Sequence, residues 1–402
     1  MKALLRHGFI FKLFIVVIKH YMKRKFNYSY EKVVPVCHSY IVLANHTTNY
    51  DPLMVGLSFP KLLYYVASDH IFCWGLLSKL IVFLVSPIPR LKASSEIQTV
   101  KQIFNRLKKG ANVCIFAEGN RSFIGETGEI PDSTGKLIKR SGAGLITYRL
   151  DGGYFSNPRW GRTLRKGLMK GRKVREYSLE EINTMTVDEL NTTIRKDLYV
   201  NAYDEQKNHL IAYNGDKLAE NLETALYLCP CCGGVSTLKS EDDKFYCTCG
   251  INLRYTHHGD FVSQDNPSPF ESVLDWSKWQ SLKIVEQAIT FKELPPDSPI
   301  TSDEGQSLWL IDKASKSQLV GEGILHLYNN RLVLDTENGT QYSFDLDKIS
   351  DMAIYSRMVL IFSTTDRESY EIKSKHPRSA VKYLELYRAL KHKVSKTTET
   401  ME

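Results

Sequence analysis

The sequence predicts an α/β fold for its first half, an αβα arrangement with a mostly parallel sheet, followed by a small cysteine-rich segment and a β-rich module closed by a C-terminal helix. Three observations predict it. Short apolar runs alternate with helical periodicity through the first 150 or so residues, five of the eight cysteines crowd between Cys229 and Cys249, and hairpin patterns take over from about residue 305. At 402 residues the chain is too long for one core and suits two or three domains. Apolar residues at 43% and charged residues at 24% exclude disordered, collagen-like and mucin-like chains. The net charge of +8 favours an anionic partner, membrane or nucleic acid.

At the N-terminus, Phe9 to Ile18 reads FIFKLFIVVI, with Arg6 before it and Lys19, Lys23, Arg24 and Lys25 after it. A spanning helix needs roughly 20 apolar residues, and this run is shorter with Lys12 inside. No small-x-small cleavage site follows, against a signal peptide. The pattern predicts an interfacial membrane helix over 1–30, with apolar side chains in the acyl region and a basic collar at anionic headgroups. A buried core helix is the plainer alternative. A second stretch, Ile71 to Ile88, carries Ser78 and Lys79 at its middle and ends at Pro87, so it reads as a buried or membrane-facing helix. The expectation is a peripheral, monotopic protein on the cytoplasmic face of the cell membrane.

Four apolar runs read as buried strands: Tyr40–Ala44, Leu62–Ala67, Val113–Ala117 and Leu145–Arg149. Between them Ser95–Lys109 places Ile97, Val100, Ile103, Phe104 and Leu107 on one helical face. Strands alternating with helices predict a parallel sheet covered on both sides, with ligands at the strand exits. Ser178…Glu181 and Thr186…Glu189 are capping-box patterns, and two helices there close the first domain near residue 215. The predicted divisions are 31–215 for this domain, 216–262 for the cysteine segment, 263–304 for a helical linker with Trp276 and Trp279, and 305–397 for the β-rich module. Its runs SLWLI, GILHLY, RLVLD, QYSFDL, MVLIFST and SYEIK are broken by turns such as Asn338-Gly339, and Ser379–His392 supplies the last helix.

The chemistry sits after the strands. The first exit reads Asn45-His46-Thr47-Thr48-Asn49-Tyr50-Asp51-Pro52. His46 and Asp51, five apart across a strand exit and a helix start, can touch. Asp51 would then hold one ring nitrogen protonated and leave the other to take a proton from an attacking hydroxyl. Asp51 before a proline also fits a helix cap. The third exit reads Phe116-Ala117-Glu118-Gly119-Asn120-Arg121-Ser122. Glycine permits close backbone approach, Arg121 offers a fork for phosphate oxygens, Ser122 and backbone N–H groups add donors, and Glu118 can hold Arg121 or a substrate hydroxyl. Between the two, Pro87-Ile88-Pro89-Arg90 presents a second arginine on a proline-fixed backbone.

NHTTNYD, PIPR and FAEGNRS together resemble the successive motifs of the glycerolipid acyltransferase family, whose best-known members are 1-acyl-sn-glycerol-3-phosphate acyltransferases. The resemblance spans roughly residues 10 to 215. It implies that His46 is the general base and Asp51 its partner, and that Arg90, Glu118, Gly119 and Arg121, with Ser122, form the glycerol-phosphate site. It implies acyl-CoA or acyl carrier protein as donor, a lysophospholipid acceptor and no catalytic cofactor. The implied reaction acylates 1-acyl-sn-glycerol 3-phosphate to phosphatidic acid in phospholipid biosynthesis. Glycerol 3-phosphate or another lysolipid is the alternative acceptor, and a non-catalytic membrane adaptor the alternative class. Two departures stand out: Ala117 where many members have proline, and LITYRLDGGY from Leu145 in place of a proline-containing fourth motif.

Pro158 to Arg175 (PRWGRTLRKGLMKGRKVR) contains no acidic residue. Trp160 stacking on a base with arginines on phosphates is one reading; beside these motifs a surface for anionic lipid or the donor's phosphates is the stronger one, and a plain basic hairpin the third. Ser133-Thr134-Gly135-Lys136 lacks the spacing of a phosphate loop. Cys229-Pro230-Cys231-Cys232 and Cys247-Thr248-Cys249 can present four thiolates from two turns, which points to a reducing compartment and a metal site rather than disulfides. The segment resembles a zinc ribbon, which implies structural Zn2+ on Cys229, Cys232, Cys247 and Cys249, with Cys231 spare. His257-His258 reads as a polar turn. The β-rich module resembles a pleckstrin-homology or GRAM-like domain.

Overall fold

A computed structural model of the chain describes residues 15–68, 86–90, 97–263, 268–312 and 317–391. The chain divides into two compact units, Met1–Leu218 with His257–Gly259, and Ala219–Thr256 with Asp260–Glu402. Most of the expected interfacial run, residues 9–14, and most of the second apolar stretch, residues 71–85, lie outside the described residues.

The first unit is built on β1 (Tyr28–Tyr30), β2 (Tyr40–Ala44), β3 (Leu63–Ser68), β4 (Ile88–Arg90), β5 (Asn112–Phe116), β6 (Gly144–Asp151) and β7 (Met169–Tyr177), in the order β1-β7-β6-β2-β5-β3-β4. All five residues of β2 are buried, as the near-continuous apolar run of a central parallel strand requires. Strands β6, β2, β5, β3 and β4 are parallel; β7 runs antiparallel to β6, and β1 pairs parallel with β7. The sheet is therefore mixed. The expected parallel run holds for five strands, and the reversal arises because residues 152–168 bring the chain back along β6 with only the four-residue helix Gly153–Ser156 between them.

Helices cover this sheet. Residues 15–26 are helical, with Met22 and Phe26 buried and Ile15 and Ile18 packed on the same core, while Val16 and Val17 face solvent. In Ile97–Lys108 the buried stripe is Thr99, Ile103 and Leu107, spaced four apart, and Ile97, expected on that face, falls off this stripe and is exposed. Both capping boxes form. Ser178 and Thr186 accept from the N–H groups of Glu181 and Glu189, whose carboxylates return to the cap N–H groups, so two orphan donors are satisfied at each helix start. A third helix, Ala202–His209, follows. Among the described residues no helix is long and apolar enough to cross a membrane.

The second unit holds a four-stranded antiparallel sheet, β8 (Leu238–Glu241) to β11 (Phe261–Val262), and a seven-stranded antiparallel sheet running from β12 (Thr301–Ile311) to β18 (Ser369–Ser374). The helix Ala380–Lys391 lays Tyr383, Leu386 and Leu390 on the larger sheet against Leu308, Leu325 and Phe362. The helix Val273–Lys292, within the stretch expected as a linker, puts Ile284 and Ala288 into that same core, beside Tyr227 and Leu228 from the cysteine-rich segment.

Candidate active site and metal centre

The first functional loop leaves the C-terminal end of β2. Asn45 ties that exit to β6, donating to the Leu150 carbonyl at 3.0 Å and accepting from the Leu150 N–H at 2.8 Å. His46 then turns outward, and its Nδ1 lies 2.9 Å from Oδ2 of Asp51. Asp51 does not cap its helix. Tyr50 takes the cap position, and Asp51, the first residue of Asp51–Ser58, points its side chain back into the loop. There it accepts from Thr47 N–H at 2.6 Å, from Thr48 N–H at 2.9 and 3.0 Å, and from the Thr48 hydroxyl at 2.6 Å. The carboxylate is fully buried, and these donors replace the water it lost. An ionised acceptor on Nδ1 fixes the proton there and leaves Nε2 as the free base, on a ring that keeps 21% exposure.

Phe116, the last residue of β5, stacks on the imidazole with centroids 4.4 Å apart and planes at 19°, and Tyr65 lies parallel to Phe116 with centroids 6.2 Å apart. Glu118 grips the backbone on both sides of the site. Its Oε1 accepts from His46 N–H at 2.8 Å and its Oε2 from Gly128 N–H at 2.6 Å. Burial pushes its carboxyl up to about 7, against the pull of the two N–H groups. Its hydrogen bonds thus go to backbone rather than to Arg121. Gly119 makes the turn at φ +70°, where a side chain would be strained. Ser122 spends its hydroxyl locally, donating to the Glu126 carbonyl at 2.7 Å and accepting from Gly125 N–H at 3.0 Å, while its N–H bonds the His46 carbonyl at 3.2 Å.

His46, Glu118 and Ser122 line one hollow with Gly125, Gly153 and Tyr154, at the strand exits where an α/β sheet places its ligand. Arg121 is not part of that lining; its Nη1 donates to Asn157 Oδ1 at 2.8 Å. Arg90 ends the edge strand β4, three strand spacings or about 14 Å from β2. The structure thus brings His46, Asp51, Glu118 and Ser122 together, with Arg121 beside them and Arg90 further along the sheet. Phe116, Asn45 and Asn157 went unread in the sequence, since no spacing signals a ring stack or a clamp across more than 30 residues.

Burial decides against one of the three readings of the basic stretch. Trp160 is fully buried, with Arg159 and Arg165 nearly so, and Arg165 lies over the Trp160 ring. No base can stack on an indole that the core has covered, so the nucleic-acid reading of Trp160 fails.

In the second unit the four expected thiols converge. The sulfurs of Cys229, Cys232, Cys247 and Cys249 all lie within 4.8 Å of one another, with Cys229–Cys249 at 3.6 Å and Cys232–Cys247 at 3.9 Å. Zinc–thiolate bonds of about 2.3 Å in a tetrahedron separate sulfurs by about 3.8 Å, so the quartet fits such an ion. The Gly234 N–H lowers the pKa of Cys232, while burial raises that of Cys229, so without a metal the four thiols are not uniformly disposed to ionise. Cys231 is exposed and stands outside the quartet.

The chain therefore presents, on an α/β domain, a histidine held by a buried aspartate at the strand exits, the kind of centre that activates a hydroxyl for group transfer. Residues 25–150 match the model of the acyltransferase family, and the N-terminal part of the chain is an acyltransferase domain of that family. Among solved structures, the 1-acyl-sn-glycerophosphate acyltransferase PlsC of Thermotoga maritima is similar at 17% identity, covering 46% of this chain and 77% of that one, with a TM-score of 0.38. A chain of the 8S snRNP assembly intermediate is similar at 17% identity over 26% of this chain and 93% of its own, TM-score 0.21. The C-terminal domain of an unknown protein from Leishmania infantum is similar at 13% identity over 27% and 97%, TM-score 0.19. No curated protein matches the chain.

Proposed function

We propose that the protein transfers a fatty acyl group from a thioester, acyl-CoA or acyl carrier protein, to the free hydroxyl of 1-acyl-sn-glycerol 3-phosphate, giving phosphatidic acid. The observation that carries this reading is the His46–Asp51 pair, its carboxylate locked by Thr47 and Thr48 and its ring facing a hollow in an acyltransferase domain. Nε2 of His46 takes the proton of the acceptor hydroxyl as its oxygen attacks the thioester carbonyl. Asp51 stabilises the imidazolium so formed, and that imidazolium returns the proton to the departing thiolate. No serine or cysteine of the protein is acylated, because the acceptor is itself the nucleophile. General-base help of this kind contributes about 10² to 10⁴ in rate. Arg121, near the hollow, is the residue proposed to meet the acceptor phosphate, with Arg90 as a second cation.

The reaction joins two amphiphiles, so the proposed workplace is the cytoplasmic face of a membrane, held peripherally. Exposed Val16 and Val17 followed by Lys19, Lys23 and Arg24 support that placement. For the second unit, the reading is a zinc ribbon, with Zn2+ on Cys229, Cys232, Cys247 and Cys249 supplying structure rather than chemistry, since four thiolates leave no open position. The seven antiparallel strands and closing helix support a PH- or GRAM-like module. Mass spectrometry of products from a mixed pool of lysolipids, glycerol 3-phosphate and acyl donors tests the reaction. Phosphatidic acid as the dominant new lipid is expected; acylation of another acceptor instead, or none, refutes the assignment.

A further inference from the structure

The imidazole that carries the proposed chemistry sits on a loop. The ladder pairs of β2, with β5 on one side and β6 on the other, end at Ala44, so the sheet does not hold the main chain of His46. Asp51 fixes the ring, but not the backbone from which the ring is aimed. The loop after β5 does that instead. His46 N–H donates to Glu118 Oε1 at 2.8 Å, and the His46 carbonyl accepts from Ser122 N–H at 3.2 Å.

The other oxygen of Glu118 accepts from Gly128 N–H at 2.6 Å, at the far end of a strap formed by residues 122–128. The strap is itself tied down. Ser122 Oγ donates to the Glu126 carbonyl at 2.7 Å, and Ala202 N–H donates to the Gly125 carbonyl at 2.9 Å. Thr127 N–H donates to the Val200 carbonyl at 2.9 Å, and Thr127 Oγ1 accepts from Val200 N–H at 2.8 Å. Gly125, Thr127, Val200 and Ala202 line the same hollow as His46 and Glu118. Residues 198–202, to which the strap is pinned, lie beyond the stretch that matches the acyltransferase family.

We propose that Glu118 is the positioning residue of the base: its carboxylate locks the main chain of His46 to the strap, so that the ring and the wall of the hollow keep one geometry. The resemblance of its motif implies a substrate-binding role, whereas here both oxygens meet main-chain N–H groups. This rests on the proposed acyl transfer and names what aims its base. The role needs a carboxylate, since an amide at 118 would turn its NH2 against one of the two N–H donors. An aiming residue acts on the chemical step and leaves substrate binding alone.

The test uses the full chain with acyl-CoA and 1-acylglycerol 3-phosphate. Glu118→Ala removes both acceptors and should lower kcat about 10²-fold, the cost of misplacing a reacting group by about 1 Å, with KM for both substrates unchanged. Glu118→Gln keeps one acceptor oxygen and should recover part of that loss. A rise in KM at constant kcat, the signature of a group that holds substrate, overturns the proposal, as does wild-type kcat in both variants. Thr127→Val loosens the strap without touching His46 and should lower kcat by a smaller factor; no change overturns the strap as the frame. Amide hydrogen exchange gives a readout independent of turnover. In Glu118→Ala the N–H groups of residues 46 and 128 should exchange about tenfold faster, the worth of one charge-assisted bond, while those of β2 keep their protection. Unchanged exchange at both positions overturns the clamp even if the transfer reaction stands. Faster exchange in a chain that acylates no lysolipid keeps the clamp and removes the proposed reaction instead.

Discussion

Asp51→Asn keeps the shape of the side chain and removes its charge. In the native loop the carboxylate faces only donors: His46 Nδ1 at 2.9 Å, Thr47 N–H at 2.6 Å, Thr48 N–H at 2.9 Å and the Thr48 hydroxyl at 2.6 Å. During transfer His46 becomes positive, and a unit charge pair 3 to 4 Å apart at an effective dielectric of about 20 is worth about 4 to 6 kcal/mol. Losing that attraction lowers the rate of the chemical step by about 10³ to 10⁴. Asparagine also turns a donor toward a donor, since its NH2 must face either His46 Nδ1–H or the threonine N–H groups, which costs about 1 to 3 kcal/mol of stability. The assay is acyl-CoA-dependent lipid product formation by mass spectrometry, with thermal melting in parallel. Turnover within tenfold of wild type, in a folded variant, would falsify the role given to Asp51.

Three further outcomes follow from the same geometry. A carboxyl whose pKa rises on folding, as Glu118 does from 4.5 to about 7, holds its proton more tightly in the folded chain, so stability falls as pH climbs through that window, by at most about 3 kcal/mol. Urea unfolding at pH 5 and pH 7 should show this loss in wild type and not in Glu118→Gln; the same change in unfolding free energy between the two pH values in both proteins contradicts the burial argument. The thiol quartet should bind one zinc per chain by elemental analysis, and a chelator should lower the melting temperature of the second unit and expose four additional thiols to reagent; a chain that melts identically with and without metal contradicts a structural role. Gly153→Ala places a methyl against Thr47 Oγ1, which belongs to the Asp51 shell. Overpacking there costs about 1 to 3 kcal/mol, and an activity loss of about tenfold or more in a folded protein is expected, whereas full activity would show that Thr47 has room to move.

What was legible in the sequence was local. Buried parallel strands announce themselves as YIVLA and VCIF, capping boxes as Ser178…Glu181 and Thr186…Glu189, and the thiol quartet by its spacing, because each depends on residues a few positions apart. His46 and Asp51 belong to this class too. The rest depends on distance along the chain. Glu118 reaches the His46 backbone across 72 residues, and Arg121 meets Asn157 across 36. A pattern shows that Glu118 is acidic and near glycine, but not that its oxygens hold backbone N–H groups. Burial is a separate matter. In a run of arginines Trp160 reads as a surface aromatic, yet its indole is buried and donates at 3.2 Å to the hydroxyl of Tyr154, six residues back in the helix Gly153–Ser156. The reversal of β7 was equally hidden, since strand direction is set by the return path of residues 152–168 and not by the strand's composition.

The central claim is that the imidazole of His46 drives acyl transfer, and the most direct measurement compares wild type with His46→Ala for acylation of 1-acylglycerol 3-phosphate by acyl-CoA at saturating concentrations of both. A fall in kcat of about 10² or more, with the melting temperature and glycerol 3-phosphate binding preserved, is the predicted result. Equal turnover by the two proteins would contradict it and leave the pair with Asp51 a structural one.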